Sequence, residues 1–220
     1  MTKAYKLEYI HPQKETFPET VVLIHGLFMF GWIMKPLAKR LARHGYRCIL
    51  YDYPTCRKTI DSHGCDFADF LSGFVKENPD RKIHLVTHSL GGIVSRSALS
   101  KLESAERANI GRVVQIAPPN RGSDIARFAA KYVPFAGKIS RVLPELSNAQ
   151  DSVIHTVPLF EKINYGVIGA KFDLEVAESL YHLPDTTHYV SLPHSHTGIL
   201  FGSETARKTL HFLSNGSFFQ

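Results

Sequence analysis

Uninterrupted apolar runs alternate along this chain with stretches where apolar residues recur every three or four positions. Val21–Ile24 is apolar at every position, as expected of a parallel strand covered by helices on both faces. It ends at His25-Gly26-Leu27-Phe28, and Trp32 and Ile33 then lead into a predicted helix. That helix has Pro36 in its first turn, Leu37 and Leu41 facing inward, and Gly45 just past its end. Arg47–Tyr51 reads as the next strand, and Phe67, Phe70, Leu71 and Phe74 mark a helix that stops before Pro79. A strand from Ile83 gives way at Ser89 to Gly91 and Gly92, after which Ile93, Val94, Ala98, Leu99 and Leu102 have helical spacing. Further strands are expected at Val113–Ile116, Asn164–Ile168 and His188–Leu192. Ala206, Leu210 and Leu213 face inward on a closing helix capped by Ser203, and Ala4–Ile10 alternates as a short edge strand would.

This order predicts an α/β protein with a doubly wound, mainly parallel sheet, whose ligand sites lie at the carboxyl ends of the strands. His25, Ser89, Asn120 and Asp173 would share that rim. The pattern blurs over 122–158, where Ile125, Phe128, Ala129 and Tyr132 keep helical spacing but Pro134, Gly137 and Pro144 interrupt any long helix. A lid-like insertion after the strand ending near Ile116 and a plain packing helix with a long connection both fit this stretch. With 220 residues and no repeat or linker, residues 1–220 are expected to form a single domain.

Composition narrows the setting. A 44% hydrophobic and 21% charged chain is ordinary for a soluble globular protein, and no apolar run is long enough to span a bilayer. The first residues lack the apolar core of a secretory signal, and Cys48, Cys56 and Cys65 are an odd set without metal-binding spacing. A cytoplasmic location with reduced thiols is the expectation; under oxidation Cys56 and Cys65 would be the pair. The net charge of +6 raises nucleic acid or an anionic membrane surface as partners. The basic residues are scattered, however, apart from Lys35, Lys39, Arg40 and Arg43 on one helix, so a solvated face is expected and no nucleic-acid partner. Weak membrane-surface contact stays open through Arg127, Lys131, Lys138 and Arg141, which punctuate the insertion.

Strand, sharp turn and helix around Ser89 would lift a serine hydroxyl clear of the sheet and aim helix-opening amides at whatever it attacks. The alternative is an ordinary turn in which the serine caps the helix. A nucleophilic serine needs a base within reach and an acid to orient that base, and in such sheets they follow in the order serine, acid, histidine. Asp173, just past the next-to-last strand, and His196, in the loop after the last, fill those slots. His194 shares the loop, Asp185 sits before the last strand at the wrong sheet edge, and Glu175 and Glu178 are expected to face solvent. His25 and His88 touch the motifs without occupying the base's slot; His25 is expected to brace its loop. The amides of Leu27 and Leu90 would supply the two donors for an oxyanion. Leu27, Phe28, Met29 and Phe30 make an apolar wall suited to an acyl or aromatic group, and Phe128 and Tyr132 would roof it.

Together, VVLIHGLF, VTHSLGG, IAPPNRGS, the Asp173 segment DLEV, SHTGIL and HFLSNGSFF resemble small bacterial α/β-hydrolases of the esterase/lipase kind. The resemblance runs from about Val21 to the end and points to lipases with Asn or His after the proline of the post-strand loop, here Asn120. It implies an α/β-hydrolase fold and cleavage of small-molecule or lipid-like esters through an acyl-enzyme, with Ser89, Asp173 and His196 as the triad and no metal or organic cofactor. Two positions differ from the family pattern: Thr87 stands at the first glycine of the elbow, and Leu174 follows the acid where glycine is usual. Alternatives are the same triad acting on a thioester or in acyl transfer, and a non-catalytic scaffold binding a partner.

Overall fold

The structure, a computed structural model, describes residues 5–123, 140–146, 153–160, 162–183 and 188–219. Its strands are β1 (Lys6–Ile10), β2 (Thr20–Ile24), β3 (Arg47–Asp52), β4 (Ile83–His88), β5 (Ile110–Ile116), β6 (Asn164–Ala170) and β7 (Tyr189–Leu192). Its described helices are α1 (Lys35–Arg43), α2 (Ile60–Glu77), α3 (Leu90–Lys101), the single turn α4 (Ser104–Arg107) and α5 (Ser203–Asn215). The seven strands form one sheet in the order β1-β3-β2-β4-β5-β6-β7, parallel except for β1, which lies antiparallel on β3.

The apolar runs become central strands because both sheet faces are covered. Val21 to Ile24 are fully buried, each such side chain contributing roughly 1.5–3 kcal/mol over an exposed one. Leu37, Ala38 and Leu41 of α1 and Phe67, Phe70 and Leu71 of α2 supply cover, with Tyr51 packed between Phe67 and Phe70. Residues Leu90 to Leu99 of α3 are all buried, so this helix lies within the molecule. α2 is capped by Thr59, whose hydroxyl accepts the Ser62 amide at 3.2 Å, and by Asn78, directly before Pro79.

Some boundaries differ from the expected ones. β5 begins at Ile110, three residues early, and β6 runs on to Ala170. α5 is capped by the backbone of Gly202, with Ser203 as its first residue and no side-chain cap bond. Within the blurred stretch, Val142, Leu146, Ile154 and Val157 are buried in the core. Ile125, Phe128, Ala129, Tyr132, Pro134 and Gly137 lie outside the described residues, as does the question of a lid. Among the described residues no helix is long and apolar enough to cross a membrane.

β2 is hydrogen-bonded to β3 on one side and β4 on the other, so the winding direction reverses between β2 and β4. The chain leaves both strands at one edge, since Ile24 pairs with Thr87. That crevice is where an open parallel sheet takes its ligand.

Candidate active site

Ser89 follows β4 directly, with φ 50° and ψ −125°. A non-glycine residue held in this region costs about 1–3 kcal/mol, sustained by its surroundings. The Ser89 amide donates to the Ile116 carbonyl at 2.9 Å and its own carbonyl accepts from Gly92 at 2.9 Å. Its side chain makes no cap hydrogen bond, so the hydroxyl is free of the ordinary helix-capping role. The turn can be this tight because a Cβ at Gly91 would lie 2.7 Å from the Ile24 carbonyl oxygen and 2.8 Å from that of His25. One at Gly26 would lie 2.9 Å from the Ser89 Cβ, so the β2 loop runs against the serine. Thr87, at the glycine position of the elbow, is buried and sends its hydroxyl to the Val114 carbonyl at 3.5 Å.

Leu27 follows Gly26, whose backbone runs against Ser89, and Leu90 follows the serine. Neither amide has a hydrogen-bond partner among the described residues. The loop carrying Leu27 is braced from several sides. The two ring nitrogens of His25 lie 3.0 Å from the Gly26 carbonyl and 3.0 Å from Asp52 Oδ1, the bracing role expected for it. Asp52 Oδ1 also accepts the Gly31 amide at 2.9 Å, and Tyr53 donates its hydroxyl to the His25 carbonyl at 3.1 Å. The His25 contact, with help from Gly31, holds the Asp52 carboxyl below its usual range despite partial burial. Phe28, at φ 58°, donates its amide to Thr55 Oγ1 at 3.1 Å. Phe28, Met29 and Phe30 form one side of a cleft of about 760 Å³ whose other side is Tyr53, Thr55 and Arg57.

Asp173 lies three residues past β6, its side chain 1% exposed. Oδ1 accepts the amides of Glu175 and Val176 at 2.7 and 2.9 Å, and Oδ2 accepts the His196 Nδ1–H at 2.5 Å and the Tyr181 hydroxyl. Burial alone would raise this carboxyl, but hydrogen bonds from His196, Tyr181 and Val176 outweigh it and hold the group below its ordinary value. Leu174 is 89% exposed, so the turn closes through these Asp173 bonds and needs no glycine there.

His196, on the loop after β7, is 4% exposed. Its carbonyl accepts from His88 Nε2 at 2.9 Å, and the two rings lie 4.9 Å apart. Burial pushes His88 down to about 3, so it serves as a neutral donor pinning the loop. Donation from Nδ1 to Asp173 leaves Nε2 of His196 as the ring's acceptor. Glu175 Oε2 is 3.7 Å from that nitrogen, and Ser89 and His196 share no direct hydrogen bond among the described residues. Such catalytic contacts commonly tighten only with substrate in place.

The other candidates fall elsewhere. His194 packs its Nε2 against Gly202, and Glu178 accepts the Tyr189 hydroxyl at 2.7 Å. Glu175, expected to face solvent, is more than half exposed yet reaches His196. Phe128, Tyr132 and Asp185 lie outside the described residues. Sequence reasoning missed Asp52, Thr55 and Tyr181. An acid ending a strand on the ligand rim is a signal that could have found Asp52; Tyr181 carries none.

The family model for the alpha/beta hydrolase family matches residues 21–206. A search of curated proteins finds no match. Among solved structures, a Bacillus licheniformis lipase in its propeptide form superposes with a TM-score of 0.79 at 19% identity, over 95% of this chain and 53% of that one. The mature form of that lipase gives 0.72 at 17%, over 97% and 98% of the two chains. The chain thus spans about half of the propeptide form and nearly all of the mature one. A monoacylglycerol lipase of Paleococcus ferrophilus gives 0.65 at 16%, over 97% and 99%. At these identities the likeness concerns the fold alone, while the family match covers most of the sequence. The chain belongs to the alpha/beta hydrolase family.

Proposed function

We propose that this protein is a serine hydrolase that cleaves carboxylic esters through an acyl-enzyme. The observation that carries this reading is the Asp173–His196 hydrogen bond on the same sheet rim as a strained serine whose hydroxyl is free of capping. Ser89 Oγ attacks the ester carbonyl carbon while His196 Nε2 takes its proton. Asp173 fixes the tautomer and stabilises the imidazolium. The Leu27 and Leu90 amides receive the carbonyl oxygen as it gains charge, and the alkoxide leaves with the proton from His196. Water then enters by the same route in reverse and frees the acid.

The substrate class is read from the cleft lined by the residues directly after Leu27, a cleft whose lining includes none of Ser89, Asp173 and His196. Phe28, Met29, Phe30 and Tyr53 offer an apolar surface for an acyl chain. Each methylene buried in the transition state adds up to ~0.8 kcal/mol, so kcat/KM should climb with chain length until the cleft is filled. A p-nitrophenyl ester series from acetate to decanoate tests this. Turnover that rises to medium chains and is absent in Ser89→Ala supports the reading; turnover unchanged in Ser89→Ala refutes it.

A further inference from the structure

We propose that Tyr181 is a positioning residue for the acid of this site, held in place by Asn120; this rests on the reading of Ser89, Asp173 and His196 above. Tyr181 is fully buried and follows the short turn Glu178–Leu180. Its hydroxyl donates to Asp173 Oδ2, the oxygen that also accepts the His196 Nδ1–H. The hydroxyl lies 3.4 Å from the Ala170 carbonyl as well, but it has one proton and the carboxylate is the stronger acceptor. Asp173 therefore meets two donors on each oxygen and cannot pivot. Without the tyrosine, Oδ2 would be held only by the imidazole it is meant to orient.

The residues behind Tyr181 are built for this task. Its backbone carbonyl accepts Asn120 Nδ2 at 2.7 Å, and the Leu180 carbonyl accepts the Arg121 amide at 3.0 Å. Asn120 sends its Nδ2 to Gln115 Oε1 too, at 2.9 Å, and accepts Arg96 Nη1 at 3.3 Å. Arg96 is 5% exposed and also donates to the Val157 and Pro158 carbonyls. The loop after β5, otherwise without a chemical role, thus carries the Tyr181 segment to the acid.

The hydroxyl draws charge from the carboxylate oxygen that faces the imidazole. Among the described residues the groups facing His196 are the Asp173 and Glu175 carboxylates and the His88 ring, and of these a phenylalanine at 181 touches only Asp173, by removing the hydroxyl from Oδ2. More charge on Oδ2 favours the imidazolium, so the acid limb of kcat/KM, which needs neutral His196, should move up. In Tyr181→Phe the expected shift is about half a pH unit upward. Plateau kcat should fall roughly tenfold with KM little changed, from loss of one hydrogen bond to a charged group. Replacing Tyr181 by 3-fluorotyrosine, a stronger donor, should move the limb the other way. The downfield proton resonance of His196 Nδ1–H should shift in both variants, a readout independent of turnover. An unchanged limb, kcat and resonance with a lowered Tm would overturn the proposal and leave Tyr181 a packing residue. If the wild type neither turns over esters nor is acylated, the hydrolase reading fails, and the resonance alone decides whether Tyr181 sets the Asp173–His196 pair.

Discussion

Replacing Asp173 by Asn puts an NH2 group where four donors already converge. The Glu175 and Val176 amides, at 2.7 and 2.9 Å, are fixed in the backbone and claim the remaining carbonyl oxygen. The NH2 group is thereby forced to the Oδ2 side, against the Tyr181 hydroxyl and the His196 Nδ1–H. The tyrosine can turn its proton to the Ala170 carbonyl, 3.4 Å away. The imidazole has no such outlet: keeping Nδ1–H sets donor against donor, at a cost of about 1–3 kcal/mol. The ring shifts its proton to Nε2, the nitrogen that must take the proton of Ser89, and the imidazolium loses its counter-charge. Together these effects should lower kcat by ~10³–10⁴, or about 4–5.5 kcal/mol. The assay is kcat on a soluble p-nitrophenyl ester, with circular dichroism and Tm showing that the variant folds. A folded Asp173→Asn protein within tenfold of wild-type kcat would refute the assignment of the acid and the tautomer argument with it.

Two further outcomes follow from groups around the site. Gly91→Ala places a methyl 2.7 and 2.8 Å from two backbone oxygens that cannot rotate away, so stability should drop by roughly 1–3 kcal/mol or more, and an unchanged Tm would show that the elbow relaxes freely. Burial pushes His84 and His88 down to about 4 and about 3, whereas unfolded imidazoles titrate near pH 6.5, so the unfolded chain binds more protons between those values. Stability is therefore full above about pH 6.5 and lost as pH falls through this window, by up to ~2.7 kcal/mol per pH unit for the pair. Urea midpoints at pH 7 and pH 5 check this; equal midpoints would mean the two rings are charged in the folded state.

Burial on both faces made β2 and β4 readable as unbroken apolar runs, and the turn residues of α1 and α2 marked their ends. β5 was harder. Gly111 and Arg112 interrupt its apolar pattern: Gly111 lies against the His84 ring, and Arg112 sends its guanidinium to the Leu213 carbonyl. Both facts depend on neighbours remote in sequence. The same distinction runs through the site. Ser89, Asp173 and His196 were legible because strand order assigns each a slot on one rim. Tyr181 was not, because its role depends on where one hydroxyl ends after a turn, and a buried tyrosine reads as core. The Asx turn that lets Leu174 point into solvent was equally invisible, since nothing local says which backbone amides Asp173 will take.

The central claim is that Ser89 is a nucleophile activated by His196. Its most direct test is reaction with a fluorophosphonate, which joins a serine oxygen to phosphorus as fluoride leaves and needs no knowledge of the natural substrate. Intact-mass analysis and peptide mapping would read the adduct in wild type, Ser89→Ala and His196→Ala. The expected result is one adduct on Ser89 in the folded wild-type protein, none in Ser89→Ala, and labelling slowed by orders of magnitude in His196→Ala. A folded wild type that stays unlabelled, or labels at another serine, would contradict it.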